Sequence, residues 1–177
     1  MRYLLIIIVL LTTAGYSMEA GGKAPDFTLS DPTGKRVSLK ELTAKGPVLI
    51  DFWATWCKPC LQALKHIEQV NLDFSPKGLQ VIGISVDNSR SQKKVLPFIK
   101  GSNYTFTVLF DPDMSVRRSF GGTEVPMTLL LDTNGEIVYK HLGYLPGDEN
   151  AIRAAVEQFF APVSDTLAPH TVPENHQ

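Results

Sequence analysis

The chain has little of what makes a function easy to assign. Only two cysteines occur in its 177 residues, Cys57 and Cys60, so any thiol chemistry must cycle within that one pair. Net charge is -1 at a sequence pI near 6.4, with acids and bases interspersed, which excludes a basic stripe for nucleic acid. Lys93-Lys94 and Arg117-Arg118 are short pairs and read as solvated helix faces. No glycine-rich phosphate loop is present, because Gly21-Gly22 and Gly121-Gly122 lack the partner residues of one. No nucleotide, cofactor or metal is therefore expected, and there is no internal repeat. The single long apolar run, Tyr3 to Ala14, has about 12 residues against the ~20 of a membrane-spanning helix.

That run follows Met1-Arg2 and precedes the small residues Gly15 and Ser17, the anatomy of a secretory signal peptide over residues 1–17. An uncleaved anchor at residues 3–14 is the alternative, and both place the rest of the chain in the periplasm or otherwise outside the cytoplasm. No cysteine follows the run, which excludes lipid attachment there. Residues 161–177, rich in Pro, Ser, Thr and other polar residues, read as a disordered tail. One domain over residues 23–160 lies between, large enough for a good core.

What is present centres on the two cysteines. Pro47 to Ala54 reads PVLIDFWA, an apolar run broken by one charge, Asp51, as in a strand buried on both faces. After Cys60, apolar residues recur at Leu61, Leu64 and Ile67, a helical period. Pro59 fits the first helical turn, where its missing N–H costs nothing. Cys57 thus falls at the helix mouth, where free N–H groups and the helix dipole favour an anion and draw a thiol pKa down from about 8.5. Residues three apart on a helix have Cβ atoms ~5–6 Å apart, so a disulfide closes with small adjustments. Cys57 is expected as the exposed attacking thiol and Cys60, one turn inside, as the resolving one.

Around this centre the pattern predicts a hairpin with its turn at Asp31-Pro32-Thr33-Gly34 and a capping box opening at Ser38. Strands are expected at Pro47–Ala54, Leu79–Val86, Thr105–Phe110, Met127–Asp132 and Ile137–Leu142. Helices are expected at Lys58–Phe74, Ser91–Lys100, Asp113–Phe120 and Asp148–Phe160. A βαβ core followed by ββα is an α/β sandwich with a mixed sheet. Trp53 is expected in the core and Trp56 as a partly exposed apolar platform beside the sulfur. His66 is expected on the solvated face of its helix with Lys65 and Glu68, without a role.

The stretch Asp51 to Cys60, DFWATWCKPC, resembles the active-site stretch of the thioredoxin superfamily. Lys23 to Leu29 and Asp31 to Leu42 resemble the extra N-terminal hairpin of its extracytoplasmic TlpA/ResA-like branch. Val125 to Asp132 and Gly135 to Val138 resemble that branch's cis-proline loop and following hairpin. The resemblance covers roughly residues 23–160 and implies a thioredoxin-like three-layer sandwich, a mixed sheet flanked by helices, with the extra hairpin. Two positions depart from it: Ala63 stands where the family usually has Glu, and Lys65 where Pro usually kinks the helix.

The resemblance implies a thiol–disulfide oxidoreductase working through mixed disulfides, with disulfide-bearing proteins as substrates, apocytochrome c among the candidates. Lys58-Pro59 between the cysteines resembles the dipeptides of reducing members and implies a reductant supplied by a membrane thiol donor. A monomer is expected. Asp51, the sole charge in its strand, has its pKa raised by burial. By itself it reads equally as a proton acceptor for Cys60 or as a strand acid paired with a lysine; the resemblance favours the acceptor. Pro126 is an ordinary trans turn proline on base rates, but the resemblance implies a cis proline facing the cysteines. Val125 then offers its backbone to an extended substrate by strand addition. The alternatives are a thiol peroxidase, against which stands Ala54 where peroxiredoxins carry Thr, and a copper or metal chaperone, since C-x-x-C can hold a soft ion.

Overall fold

The computed structural model describes residues 21–161. The expected signal peptide, and the expected tail from residue 162 on, lie outside the described residues. Among the described residues no helix is long and apolar enough to cross a membrane.

The fold is built on β3 (Val48–Trp53), whose six residues are all buried, as its apolar run, broken only by Asp51, predicts. β4 (Gln80–Ser85) lies parallel to it on one side, and β6 (Met127–Leu131) antiparallel on the other. With β1 (Thr28–Ser30), β2 (Arg36–Ser38), β5 (Thr107–Phe110) and β7 (Ile137–Leu142) they form one seven-stranded sheet in the order β2-β1-β5-β4-β3-β6-β7. Among the described residues there are five α-helices: α1 (Leu39–Thr43), α2 (Lys58–Phe74), α3 (Val95–Gly101), α4 (Ser115–Ser119) and α5 (Asp148–Phe160). This is the mixed-sheet α/β sandwich that was expected, with the N-terminal hairpin β1–β2 added at one edge.

Local chemistry sets the element ends. The carboxyl of Asp31 accepts hydrogen bonds from the Thr33 N–H and hydroxyl and from the Lys35 N–H, closing the β1–β2 turn. Ser38 and Glu41 form the capping box that starts α1. α2 runs Lys58–Phe74 without interruption, consistent with Lys65 replacing the kinking proline.

Three elements are shorter than their sequence patterns suggest. Residues Gln92–Lys94 form a 3₁₀ turn, and α3 begins only at Val95, because Pro97 has no N–H and is tolerated only in a first turn. Met114 adopts a left-handed conformation, φ 60°, so α4 starts after it, held by the Asp111 carboxyl, which accepts from the N–H groups of Val116 and Arg117. β5 starts at Thr107 rather than Thr105, because the N–H groups of Thr105 and Phe106 donate to the side chain of Glu68.

Two charged residues expected in solvent are buried. Glu68 occupies the inward face of α2 with Leu64, Ile67 and Asn71 and ties that helix to the chain entering β5. Arg117 lays its stem against Gly122 and leaves its Nε without a partner. Arg118, Lys93 and Lys94 are exposed as expected.

Candidate active site

The site forms where β3 ends and α2 begins. After Trp53 the chain turns through Ala54, Thr55 and Trp56, and the Cys57 N–H bonds back to the Ala54 carbonyl at 3.1 Å. Cys57 is the N-cap of α2, with Pro59 in the first turn. Its sulfur accepts the Cys60 N–H at 3.2 Å, so an unsatisfied helix donor is aimed at the atom expected to carry negative charge. Cys57 and Cys60 are joined by a disulfide, their Cα atoms 5.2 Å apart.

The expectation of an exposed attacking thiol needs correction. Cys57 is only 6 % exposed and Cys60 is fully enclosed. The reason lies in the facing loop: the Val125 carbonyl oxygen sits 3.6 Å from the Cys57 sulfur and covers it. The Val125–Pro126 peptide bond is cis, as the resemblance implies, and Val125 precedes the β6 ladder, which starts at Met127. Trp56 projects into solvent at 58 % exposure, whereas Trp53 is wholly buried. His66 is not on a solvated face: it is half-buried, its ring stacked on Tyr144 at 6.2 Å.

Asp51 lies in the middle of β3 and is entirely buried. One carboxyl oxygen accepts the Thr128 hydroxyl at 2.8 Å from β6. The other has no hydrogen-bond partner. Desolvation pushes its pKa up to about 7, against the lowering effect of the Thr128 bond. No lysine among the described residues pairs with it; opposite it on β4 stands Gly83. A side chain there would drive a Cβ to 2.7 Å from the Phe106 ring, so this neighbouring position cannot supply a cation to Asp51.

Three polar residues of the site were missed by sequence reasoning. Thr128 is the one hydroxyl in the run following Pro126. Thr55 gives both its N–H and its hydroxyl to the carboxyl of Asp87, at 2.8 and 2.6 Å. Asp87 is the first charge after the apolar run of β4, a signal that marked a strand end and nothing more. No group of three or more metal-ligating side chains occurs among the described residues.

A thioredoxin-like sheet with a disulfide at the start of the helix after its central strand, facing a cis proline, defines the class of dithiol–disulfide proteins. Residues 20–140 match the AhpC/TSA family, and the chain belongs to that family. It is 31 % identical to the thiol-disulfide oxidoreductase ResA of Bacillus subtilis (strain 168) over 144 residues, covering 75 % of this chain and 79 % of the relative. It resembles a structure described as the thiol:disulfide interchange protein DsbE from Chlorobium tepidum, with 33 % identity and a TM-score of 0.71, covering 80 % of this chain and 98 % of that one. The peroxidoxin BcpB of Mycobacterium tuberculosis superposes with a TM-score of 0.68 over 82 % of this chain and 99 % of that one. At 22 % identity it shows a shared fold alone. The TlpA/ResA-like resemblance is thus borne out, and the chain is a thiol–disulfide oxidoreductase.

Proposed function

We propose that the protein reduces protein disulfides outside the cytoplasm. The Cys57 thiolate attacks one sulfur of a substrate disulfide, forming a mixed disulfide and releasing the first substrate thiolate, which takes up a proton. Cys60 then gives its proton to the Asp51 carboxylate, and its thiolate attacks the Cys57 sulfur. The Cys57–Cys60 disulfide forms, the second substrate thiolate leaves and is protonated, and two electrons have passed from the dithiol to the substrate. A membrane thiol donor returns two electrons and two protons to reopen the cycle. The N-terminal charged-then-apolar sequence supports the location.

The observation that carries this reading is Asp51. It is a carboxyl with one unpartnered oxygen, buried in the strand that runs into the cysteines, with a pKa raised to about 7. Such a group takes and returns a proton near neutral pH, as the resolving step requires. The Val125 backbone beside Cys57 supports strand addition by an extended substrate, a mode that reads main chain rather than side chains. Trp56 supplies apolar contact, and disulfide-bearing proteins, apocytochrome c among them, are the substrate class.

The test is the reduction potential of the Cys57–Cys60 couple. A reductant lies well below about -180 mV, and a value clearly above it overturns the direction. Alongside, Cys60→Ser is expected to hold substrate as a mixed disulfide on Cys57, and Cys57→Ser to hold none.

A further inference from the structure

We propose that Asp87 is a positioning residue for the Cys57 thiol, acting through Thr55 to set where the active-site loop places the nucleophile. The proposal rests on the reading of Cys57 as the attacking sulfur. Asp87 is fully buried just beyond the end of β4. One of its oxygens accepts the Thr55 hydroxyl at 2.6 Å; the other accepts the Thr55 N–H at 2.8 Å and the Ser85 hydroxyl at 3.0 Å. The Val86 N–H bonds to the Trp53 carbonyl at 2.9 Å, so the loop leaving β3 is tied to the chain leaving β4 at two successive points.

Of these two ties, only the one at Asp87 reaches into the loop beyond Trp53. Thr55 is two residues before Cys57, and the next bond along it is that of the Cys57 N–H to Ala54. A carboxyl gripping both the backbone and the hydroxyl of one residue fixes its φ and its side-chain rotor together. In the disulfide form the Cys57 sulfur meets the Cys60 N–H at 3.2 Å; the grip keeps the loop in that placement once the S–S bond opens, so that the same N–H faces the thiolate. With the grip loosened, that bond lengthens and the thiolate loses its donor. The other charged groups close by in chain or fold are Lys58, which is exposed, Asp51 in β3, and Asp111, whose N–H bonds to the Ser85 carbonyl.

The experiment uses the full chain carrying Cys60→Ser, so that Cys57 is the only thiol, and follows its alkylation by iodoacetamide against pH. Asp87→Asn presents an amide that can no longer accept at both positions. Thr55→Val deletes the hydroxyl arm, and Thr55→Ser keeps it. Asp87→Asn and Thr55→Val are each expected to move the Cys57 midpoint to a higher pH, to a proton concentration about threefold lower or more, and to lower kcat/KM in the two-cysteine chain about tenfold. Thr55→Ser stays within twofold. Midpoints unchanged in both variants, with only a lower melting temperature, make Asp87 purely structural and overturn the proposal. A midpoint that falls in Asp87→Asn and rises in Thr55→Val means that Asp87 acts by charge rather than by position, which also overturns it. If Asp87→Asn does not fold, Thr55→Val, which leaves the buried carboxyl in place, decides the matter. Failure of the underlying reading looks different: Cys57 in the parent Cys60→Ser chain would titrate near the ordinary ~8.5 and trap no substrate.

Discussion

Asp51 and Asp87 are both fully buried, on neighbouring parallel strands or just beyond them, yet their surroundings are opposite. Asp87 receives three hydrogen bonds spread over both oxygens. Asp51 receives one, and its second oxygen faces no donor. A carboxyl with that many donors is a bracket, because both of its oxygens are engaged in place. A carboxyl with one is left poised to titrate, since desolvation outweighs the single bond. Burial alone does not decide how a buried carboxyl behaves; the donors it meets do.

The largest test of this contrast is the stability of Asp51→Asn against pH. The Asp51 pKa is raised to about 7 in the folded state, whereas in the unfolded chain it is near 3.9. Between those values the folded protein keeps a proton that the unfolded chain has released, so stability falls as pH rises through the window and levels off above it. About three pH units at 1.36 kcal/mol each amount to roughly 4 kcal/mol. Asp51→Asn removes the titration and can still accept the Thr128 hydroxyl. It is expected to be more stable than the parent by up to about 4 kcal/mol at pH 8 and nearly equal to it at pH 4, read by urea unfolding at both pH values. A constant difference at the two pH values removes Asp51 as the titrating group.

The opposite sign is expected at the second acid. Asp87→Ala leaves the Thr55 N–H, the Thr55 hydroxyl and the Ser85 hydroxyl without their acceptor, and an unpaired buried polar group costs ~1–3 kcal/mol. At pH 8 the two substitutions should therefore move the urea midpoint in opposite directions, Asp51→Asn upward and Asp87→Ala downward. If both move it upward, Asp87 is not the satisfied bracket that its hydrogen bonds describe.

This contrast also marks what the sequence could convey. Asp51, Cys57, Cys60 and the helix to Phe74 were legible because each depends on near neighbours: an apolar run interrupted once, a helical period, a proline in a first turn. Asp87 and Thr55 are 32 residues apart, and Asp51 and Thr128 are 77 apart. Those pairs exist only because the strand order puts β3 between β4 and β6, which no local pattern states. Glu68 misled for a related reason. Its place four residues after Leu64 put it on the buried stripe of α2, but a glutamate on that stripe is tolerable only with donors, one from Asn71 in the next turn and the rest that Thr105 and Phe106 bring from far along the chain. The near-complete burial of Cys57 likewise depends on a carbonyl 68 residues away.

The smallest effect is expected at the tryptophans, where the same contrast between enclosed and open recurs in apolar form. Trp53 is part of the packed core, and its ring lies 5.6 Å from that of Phe98. Trp56, three residues on, buries little within the protein itself, so truncating it removes few internal contacts. Trp56→Ala is expected to change unfolding free energy by less than about 0.5 kcal/mol. Its loss should appear instead with a protein substrate, as a KM raised about three- to tenfold at nearly constant kcat, because an apolar contact made equally in the bound and transition states is uniform binding. With a small disulfide too short to reach the indole, the parent and the variant should be equal. A fall in kcat with both substrates would mean that Trp56 holds the loop rather than the partner, and Thr55 and Asp87 would then not be its sole support.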